Sequence, residues 1–193
     1  VKQIVVIGGG ASGFFAAINA AFKHPDYKIT ILEKTTKLLS KVKVSGGGRC
    51  NVTHHCFETS ELVKNYPRGN KELYQVFSKF SVEETLTWFK QQGIEIKTEE
   101  DGRMFPVTND SQTIIDCFLR LSKQLKITIS TSCEVFAIKK SINQFFIKTS
   151  DGELIADAVI CSIGGHNKEG HYQFLKNLGH TIVSPIPSIF TIN

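Results

Sequence analysis

Apolar positions run unbroken from Lys2 to Ile7 and then recur at helical spacing in Phe14, Ala17, Ile18 and Ala21. The first pattern predicts a buried parallel strand, the second a helix with one apolar face. His24-Pro25-Asp26 ends that helix, because proline cannot continue it. Lys28 to Leu32 predicts a second strand. Strand, helix and strand thus fit within about 33 residues, the length a parallel crossover needs.

The pattern then loosens. Lys34 to Thr53 is basic, then Gly-rich, and reads as a long loop; a polar loop region follows to Gly69. Helical spacing returns from Lys71 to about Lys79 and again after Ser81, where Ser81-x-x-Glu84 forms a capping box, and stops before Gly93. Ile94 to Lys97 and Arg103 to Phe105 predict short strands. Asn109 to Gln124 predicts a helix whose apolar face is Ile114, Ile115, Phe118, Leu119 and Leu121.

Ile127 to Ile129 predicts a third parallel strand. Cys133 to Lys140, Gln144 to Thr149 and Glu153 onward predict an antiparallel meander, broken at Ser141-Ile142-Asn143 and at the hairpin signal Ser150-Asp151-Gly152. Ala158 to Ile163 predicts a last buried strand, closed by Gly164-Gly165. A helix from about Glu169 to Leu178 stops at Gly179, and Ser184-Pro185-Ile186-Pro187 is linker-like. The expected fold class is therefore α/β: a Rossmann-like parallel sheet with a β-meander crossover at about 132–156 and a helical insertion at about 60–125. Residues 1–180 form the expected domain, with 181–193 a linker into a second domain absent from this chain.

Composition narrows this picture only slightly. At 193 residues and 41% hydrophobic, the chain can bury one real core. No apolar run of about 18 residues argues for a membrane span. Five irregularly spaced cysteines and no signal-peptide pattern suggest reduced thiols in a cytoplasmic protein. A formal charge of +5 suits phosphate-rich ligands or RNA, but is too small to argue for nucleic-acid binding.

The chemistry begins at Gly8-x-Gly10-x-x-Gly13, with Ala11 and Ser12 between the last two glycines. Gly8 permits the tight turn, Gly10 lets backbone approach a pyrophosphate, and Gly13 lets helix pack against strand. The helix N-terminus then offers free N–H groups and a positive dipole end. Glu33 lies 20 residues past Gly13, where an acidic side chain accepts hydrogen bonds from an adenosine ribose; a solvated charge at a strand end is the plainer reading. These features admit FAD or NAD. The long loop Ser45-Gly46-Gly47-Gly48-Arg49-Cys50-Asn51 is the feature that separates them, by the resemblance given below, and its consecutive glycines expose N–H groups to phosphate or flavin oxygens. Arg49 is a cationic donor there or a surface arginine. Lys37, Lys41 and Lys43 add positive potential or are simply solvated. Cys50, His54, His55 and Cys56 have poor spacing for a structural zinc site, and no metal is expected. Cys50 is the weak catalytic candidate, as a proton donor or redox thiol; otherwise it is a small buried filler.

The stretches IGGGASGFFAAINAA, ILEK, KLLSKVKVSGGGRCNVTH, FSVEETLTWFKQQGIEIKTEEDGRMFPVTNDSQTIIDCFL and AVICSIGG resemble the BaiN/RdsA (YhiN-like) family of NAD(P)/FAD-dependent oxidoreductases. The resemblance implies FAD contacts from Gly8, Gly10, Ala11, Ser12, Gly13, Glu33, Lys34, Lys41, Ser45, Gly46, Gly47, Arg49, Cys50, Asn51, Val135, Gly164 and Gly165. Arg103, Phe105 and Pro106 border the substrate or brace the FAD loop, with bracing favoured. The chain departs from the family after Gly165, where His166 to Tyr172 replaces a Ser/Pro/Gly-rich turn, and reads as an N-terminal fragment. The implied function is an FAD-dependent oxidoreductase: an NAD(P)H-driven reductase of an electron-poor C=C bond, in a steroid enone or in uracil of rRNA. The alternatives are an NAD-binding dehydrogenase domain without flavin and a non-catalytic flavin-binding module. Sequence leaves the oligomeric state open.

Overall fold

A computed structural model describes residues 1–166 and 168–185. In chain order the elements are β1 (Gln3–Ile7), α1 (Ala11–Lys23), β2 (Lys28–Leu32), α2 (Ser40–Gly48), β3 (Thr53–His54), α3 (Thr59–Leu62), α4 (Asn70–Phe77), α5 (Val82–Gln91), β4 (Ile96–Thr98), β5 (Arg103–Pro106), α6 (Gln112–Gln124), β6 (Thr128–Ser130), β7 (Val135–Lys140), β8 (Phe145–Thr149), β9 (Gly152–Ala156), β10 (Ala158–Cys161) and α7 (Gln173–Asn177). The chain groups into two compact units, Val1–Leu39 with Arg120–Asn193, and Ser40–Leu119.

In the first unit, β10, β1, β2 and β6 form a four-stranded sheet in that order, with every pairing parallel. Alternation sends successive side chains of β1 to opposite faces. Val5 and Ile7 join Leu32 in one core with Cys133, Ile138, Ile147 and Ala156 of the meander region. Helix α1 buries Phe14, Ala17, Ile18 and Ala21, the face the spacing predicts. The meander β7-β8-β9 is antiparallel throughout, with a bulge between Val135 and Ala137.

In the second unit, β3, β5 and β4 form a small antiparallel sheet. Leu62, Val82 and Met104 form its core cluster, packed by Phe77, Leu86 and Ile96. At the start of α5 the Ser81 N–H donates to Glu84 Oε2 at 2.7 Å, so the capping box is built as expected.

Five expectations change. The stretch read as a loop after Lys34 contains helical turns from Ser40. The polar region before Gly69 contains β3 and α3. On α6, Leu119 is exposed and Cys117 is buried instead, because i, i+3, i+4, i+7 through Ile114, Cys117, Phe118 and Leu121 forms the true inward stripe. The strand expected to be buried to Ile163 ends at Cys161 and is only half-buried, since β1 is the neighbour it pairs with. The helix expected from Glu169 begins as a 3-10 turn, Glu169–Tyr172, before α7. Of the expected linker at 181–193, residues 186–193 lie outside the described residues.

Candidate dinucleotide site

The connection from β1 to β2 leaves β1 on one side, while β10 pairs with it on the other, so the order reverses at β1. Open parallel sheets place ligand crevices at the carboxyl ends of strands at such a switch point. A cavity of about 290 Å³ lies there. Ile7 and Gly8 end β1, Leu32, Glu33 and Lys34 end β2, and Val135 and Phe136 begin β7; all of them line it. Ile163, His166, His171 and Phe174, after β10, complete the far wall.

The glycine turn is fixed by close packing. A Cβ on Gly13 would sit 1.9 Å from the Gly8 carbonyl oxygen, so no side chain fits where α1 crosses the end of β1. Gly8 has φ +113°, and its Cβ position is 2.3 Å from the Ser162 carbonyl oxygen. Gly10 differs: nothing lies within 4 Å of its Cβ position. The backbone there is open to an approaching group. Gly10 caps α1 in extended conformation, and its carbonyl accepts the first helical bond, from the Phe14 N–H, at 3.0 Å. Geometry therefore leaves the N–H groups of Ala11, Ser12 and Gly13 without intrahelical acceptors. No acidic residue occupies this first turn, so its dipole end favours an anion.

Glu33 is half-buried at the end of β2. Its Oε2 accepts from the Gly9 N–H at 2.8 Å, and its Oε1 accepts from the Thr35 N–H and hydroxyl, both at 2.9 Å. The carboxylate is thus aimed by three donors rather than left as a solvated charge. Sequence reasoning missed the Gly9 contact, which links positions 24 residues apart and has no local signal. It also missed Glu134, Phe136, His166, His171, Gln173 and Phe174 as lining residues. The expected Gly164 and Gly165 are exposed, between Ile163 and His166.

The second unit holds the other expected glycine loop. Gly46, Gly47, Gly48 and Cys50 all have positive φ, from +55° to +84°. A side chain on Gly46 would meet the Asn51 nitrogen and Phe105 Cε1, each at 2.8 Å, so this turn is also packed shut. Asn51 Oδ1 accepts from the Met104 N–H at 3.2 Å. The Arg49 guanidinium lies 4.0 Å from the Phe105 ring centroid and bridges to Glu99. Phe105 therefore braces the loop. Arg49 is partly exposed, with Glu99 and Phe105 as its partners. Ser45 Oγ donates to the Val42 carbonyl, while Lys41 and Gly47 are exposed. Cys50 is buried, and that burial pushes its thiol up, against a smaller opposing effect from Ser45. A protonated thiol is a weak nucleophile. Among the described residues, no group of three or more His, Cys, Asp or Glu side chains is placed to hold a metal ion. Likewise, no helix among them is long and apolar enough to cross a membrane.

The family model described as "HI0933-like protein Rossmann domain" matches residues 2–186, and the chain belongs to that family. The resemblance read from SGGGRCN and DGRMFP is thereby borne out. The chain is 29% identical to the 3-dehydro-bile acid delta(4,6)-reductase of Clostridium scindens, over 98% of this chain and 47% of that protein. It is 22% identical to the ribosomal RNA dihydrouridine synthase of Escherichia coli, over 86% of this chain and 40% of that protein. The chain thus spans about half the length of the curated relatives it matches. A crystal structure of FqzB shares the fold, with a TM-score of 0.54 at 18% identity, covering 91% of this chain and 38% of that one.

Proposed function

We propose that this member of the HI0933-like Rossmann family is the FAD-binding part of an oxidoreductase. Its reaction would be the NAD(P)H-driven reduction of an electron-poor C=C bond, in a steroid enone or in uracil of rRNA. The observation that carries the reading is the contrast within the glycine turn: Gly13 is closed at 1.9 Å while Gly10 is open to 4 Å. A turn that only joined β1 to α1 would need the first property and not the second. Support for the reaction class comes from the names of the two curated relatives, one a reductase of a bile acid and one a dihydrouridine synthase.

When bound, FAD supplies hydride transfer between a reduced nicotinamide and the acceptor. The chain's own residues bind and orient. The N–H groups of Ala11, Ser12 and Gly13 would take the pyrophosphate, which approaches over Gly10. Glu33, already aimed by Gly9 and Thr35, would accept from the ribose hydroxyls through a remaining lone pair of Oε2. A 2′-phosphate would be repelled by the same carboxylate. Lys34 and Val135 border the crevice, and Gly164 and Gly165 follow its β10 side. Lys41, Ser45, Gly46, Gly47, Arg49, Cys50 and Asn51 are proposed as further cofactor contacts from the second unit's loop. Residues 1–180 are proposed to serve as one FAD-binding domain of a cytoplasmic enzyme.

The test is direct. The purified protein, reconstituted with FAD, should show the flavin absorbance bands, and Gly13→Val should lose them. A protein that takes up no flavin sinks the proposal. Anaerobic reduction by NADH or NADPH, then reoxidation by a steroid enone or by uracil-containing rRNA, would assign donor and acceptor.

A further inference from the structure

Glu33 lines the crevice at the end of β2, yet most of its carboxylate is already in use. An ionised carboxylate offers about four lone-pair sites on its two oxygens. Oε1 accepts twice, from the Thr35 N–H and from the Thr35 hydroxyl, both at 2.9 Å. Oε2 accepts once, from the Gly9 N–H at 2.8 Å. Among the described residues these are its donors, so one site, on Oε2, is left for a ligand. The Thr35 proton has a second acceptor within reach, the Lys37 carbonyl at 3.1 Å, but a charged oxygen accepts more strongly than a neutral one. The Lys37 N–H donates to the same hydroxyl at 3.3 Å, which keeps that oxygen in place beside Oε1.

The carboxylate is also hard to turn. The Glu33 N–H donates to the Ser130 carbonyl at 2.8 Å, and the Glu33 carbonyl accepts from the Cys133 N–H at 2.9 Å. Its stem packs on the glycine turn: a Cβ on Gly9 would sit 2.9 Å from Glu33 Cβ and 2.8 Å from Leu38 Cδ2. The segment then returns to the same glycine, where the Leu39 N–H donates to the Gly9 carbonyl at 2.9 Å. Leu39 is buried at φ +54°, a conformation leucine rarely adopts. Gly9 is thus bonded through its N–H to Glu33 and through its carbonyl to Leu39. Offering both carboxylate oxygens to a ligand would break the bonds from Thr35.

We infer that Thr35 is a positioning residue that restricts Glu33 to a single ribose hydroxyl. It fills Oε1 from the protein side and leaves Oε2 alone to read the ligand. A carboxylate free to turn would take two neighbouring hydroxyls, one on each oxygen. This rests on the dinucleotide reading above and sharpens the part Glu33 plays in it.

The test compares FAD with two analogues, one whose adenosine lacks the 2′ hydroxyl and one whose adenosine lacks the 3′ hydroxyl. Binding to the flavin-free protein is followed by flavin fluorescence. One analogue should bind as FAD does, and the other about ten-fold more weakly, the loss of one hydrogen bond to a charged group. Equal losses from both, or no loss from either, overturn the inference and leave the flavin reading intact. Thr35→Ala releases Oε1, so the indifferent analogue should now weaken too, by about three-fold relative to FAD. Thr35→Ser keeps the hydroxyl and should keep the parent's pattern. General damage to the site would lower all three affinities together and leave their ratios unchanged; unchanged ratios in Thr35→Ala therefore also overturn the inference. A parent protein that binds none of the three removes both the inference and the flavin reading.

Discussion

Two glycines of one motif make opposite predictions when given a single methyl group. Gly13→Ala drives a Cβ to 1.9 Å from the Gly8 carbonyl, so helix and strand must part. Overpacking of this kind costs about 1–3 kcal/mol, and the loss of Tm and of FAD binding should coincide. Gly10→Ala meets no atom within 4 Å and sits at φ −91°, which alanine adopts freely. Its stability should stay within about 1 kcal/mol of the parent, while FAD affinity falls because the methyl occupies the approach path. Thermal melts beside FAD titrations of both variants separate these cases; a Gly10→Ala protein with unchanged FAD affinity would mean the pyrophosphate lies elsewhere. Cys50 gives a second residue-scale prediction. Its buried, protonated thiol should react with iodoacetamide at pH 7 more slowly than exposed Cys161, although partial burial raises that thiol as well. Mass spectrometry of peptides alkylated over time reads the order directly. What could be read from sequence at this scale was whatever a local spacing encodes: the three motif glycines and Glu33. Contacts made across distance were hidden, because Gly9 to Glu33 and Arg49 to Glu99 depend on chain returns that no window contains.

Elements follow the same division between local and distant causes. Helix α5 was readable because its start carries its own chemistry, and the Ser81–Glu84 box forms as written. Ser81→Ala should therefore cost about 1 kcal/mol, which in a chain of this size lowers Tm by about 2–4 °C. The partner carboxyl adds a pH signature. The backbone N–H of Ser81 holds the Glu84 carboxyl below its usual range. A carboxyl whose folded value is depressed contributes stability above its unfolded value, and that contribution is lost as pH falls through the folded one. Glu84→Gln should thus lose less Tm than the parent between pH 6 and pH 3, and an identical acid limb would show the box to be energetically idle. Helix α2 was not readable, since Ser45 to Gly48 look like loop and its helical turns occupy only the few residues before them. Strand β10 was over-extended for a related reason: Ser162 and Ile163 continue the apolar run, but the ladder with β1 stops at Ile7 paired with Cys161. The pattern of a run gives its chemistry, whereas its partner decides its length.

At the scale of the whole chain, the sheet order confines what the first unit can do. With β1 between β10 and β2, the crevice at the carboxyl ends has room for one compact ligand portion, about 290 Å³ lined by Gly8 and Glu33 among others. On the proposed reading this crevice takes the adenosine ribose at Glu33, beside the pyrophosphate, and not an isoalloxazine ring. If this crevice supplies most of the binding energy, ADP alone should bind within about ten-fold of FAD, a difference of about 1.4 kcal/mol. Riboflavin phosphate, which lacks the adenosine half, should not compete. The alternative is that the Gly46–Gly48 loop of the second unit carries the larger share. FAD would then outbind ADP by a hundred-fold or more, and Gly47→Ala, at an open position with positive φ, would weaken FAD but not ADP. Competition titrations with ADP, riboflavin phosphate and FAD on the same protein decide between the two distributions. They also bear on chemistry, because an adenosine-weighted affinity leaves the reacting end of the cofactor to be positioned by groups that contribute little to holding it.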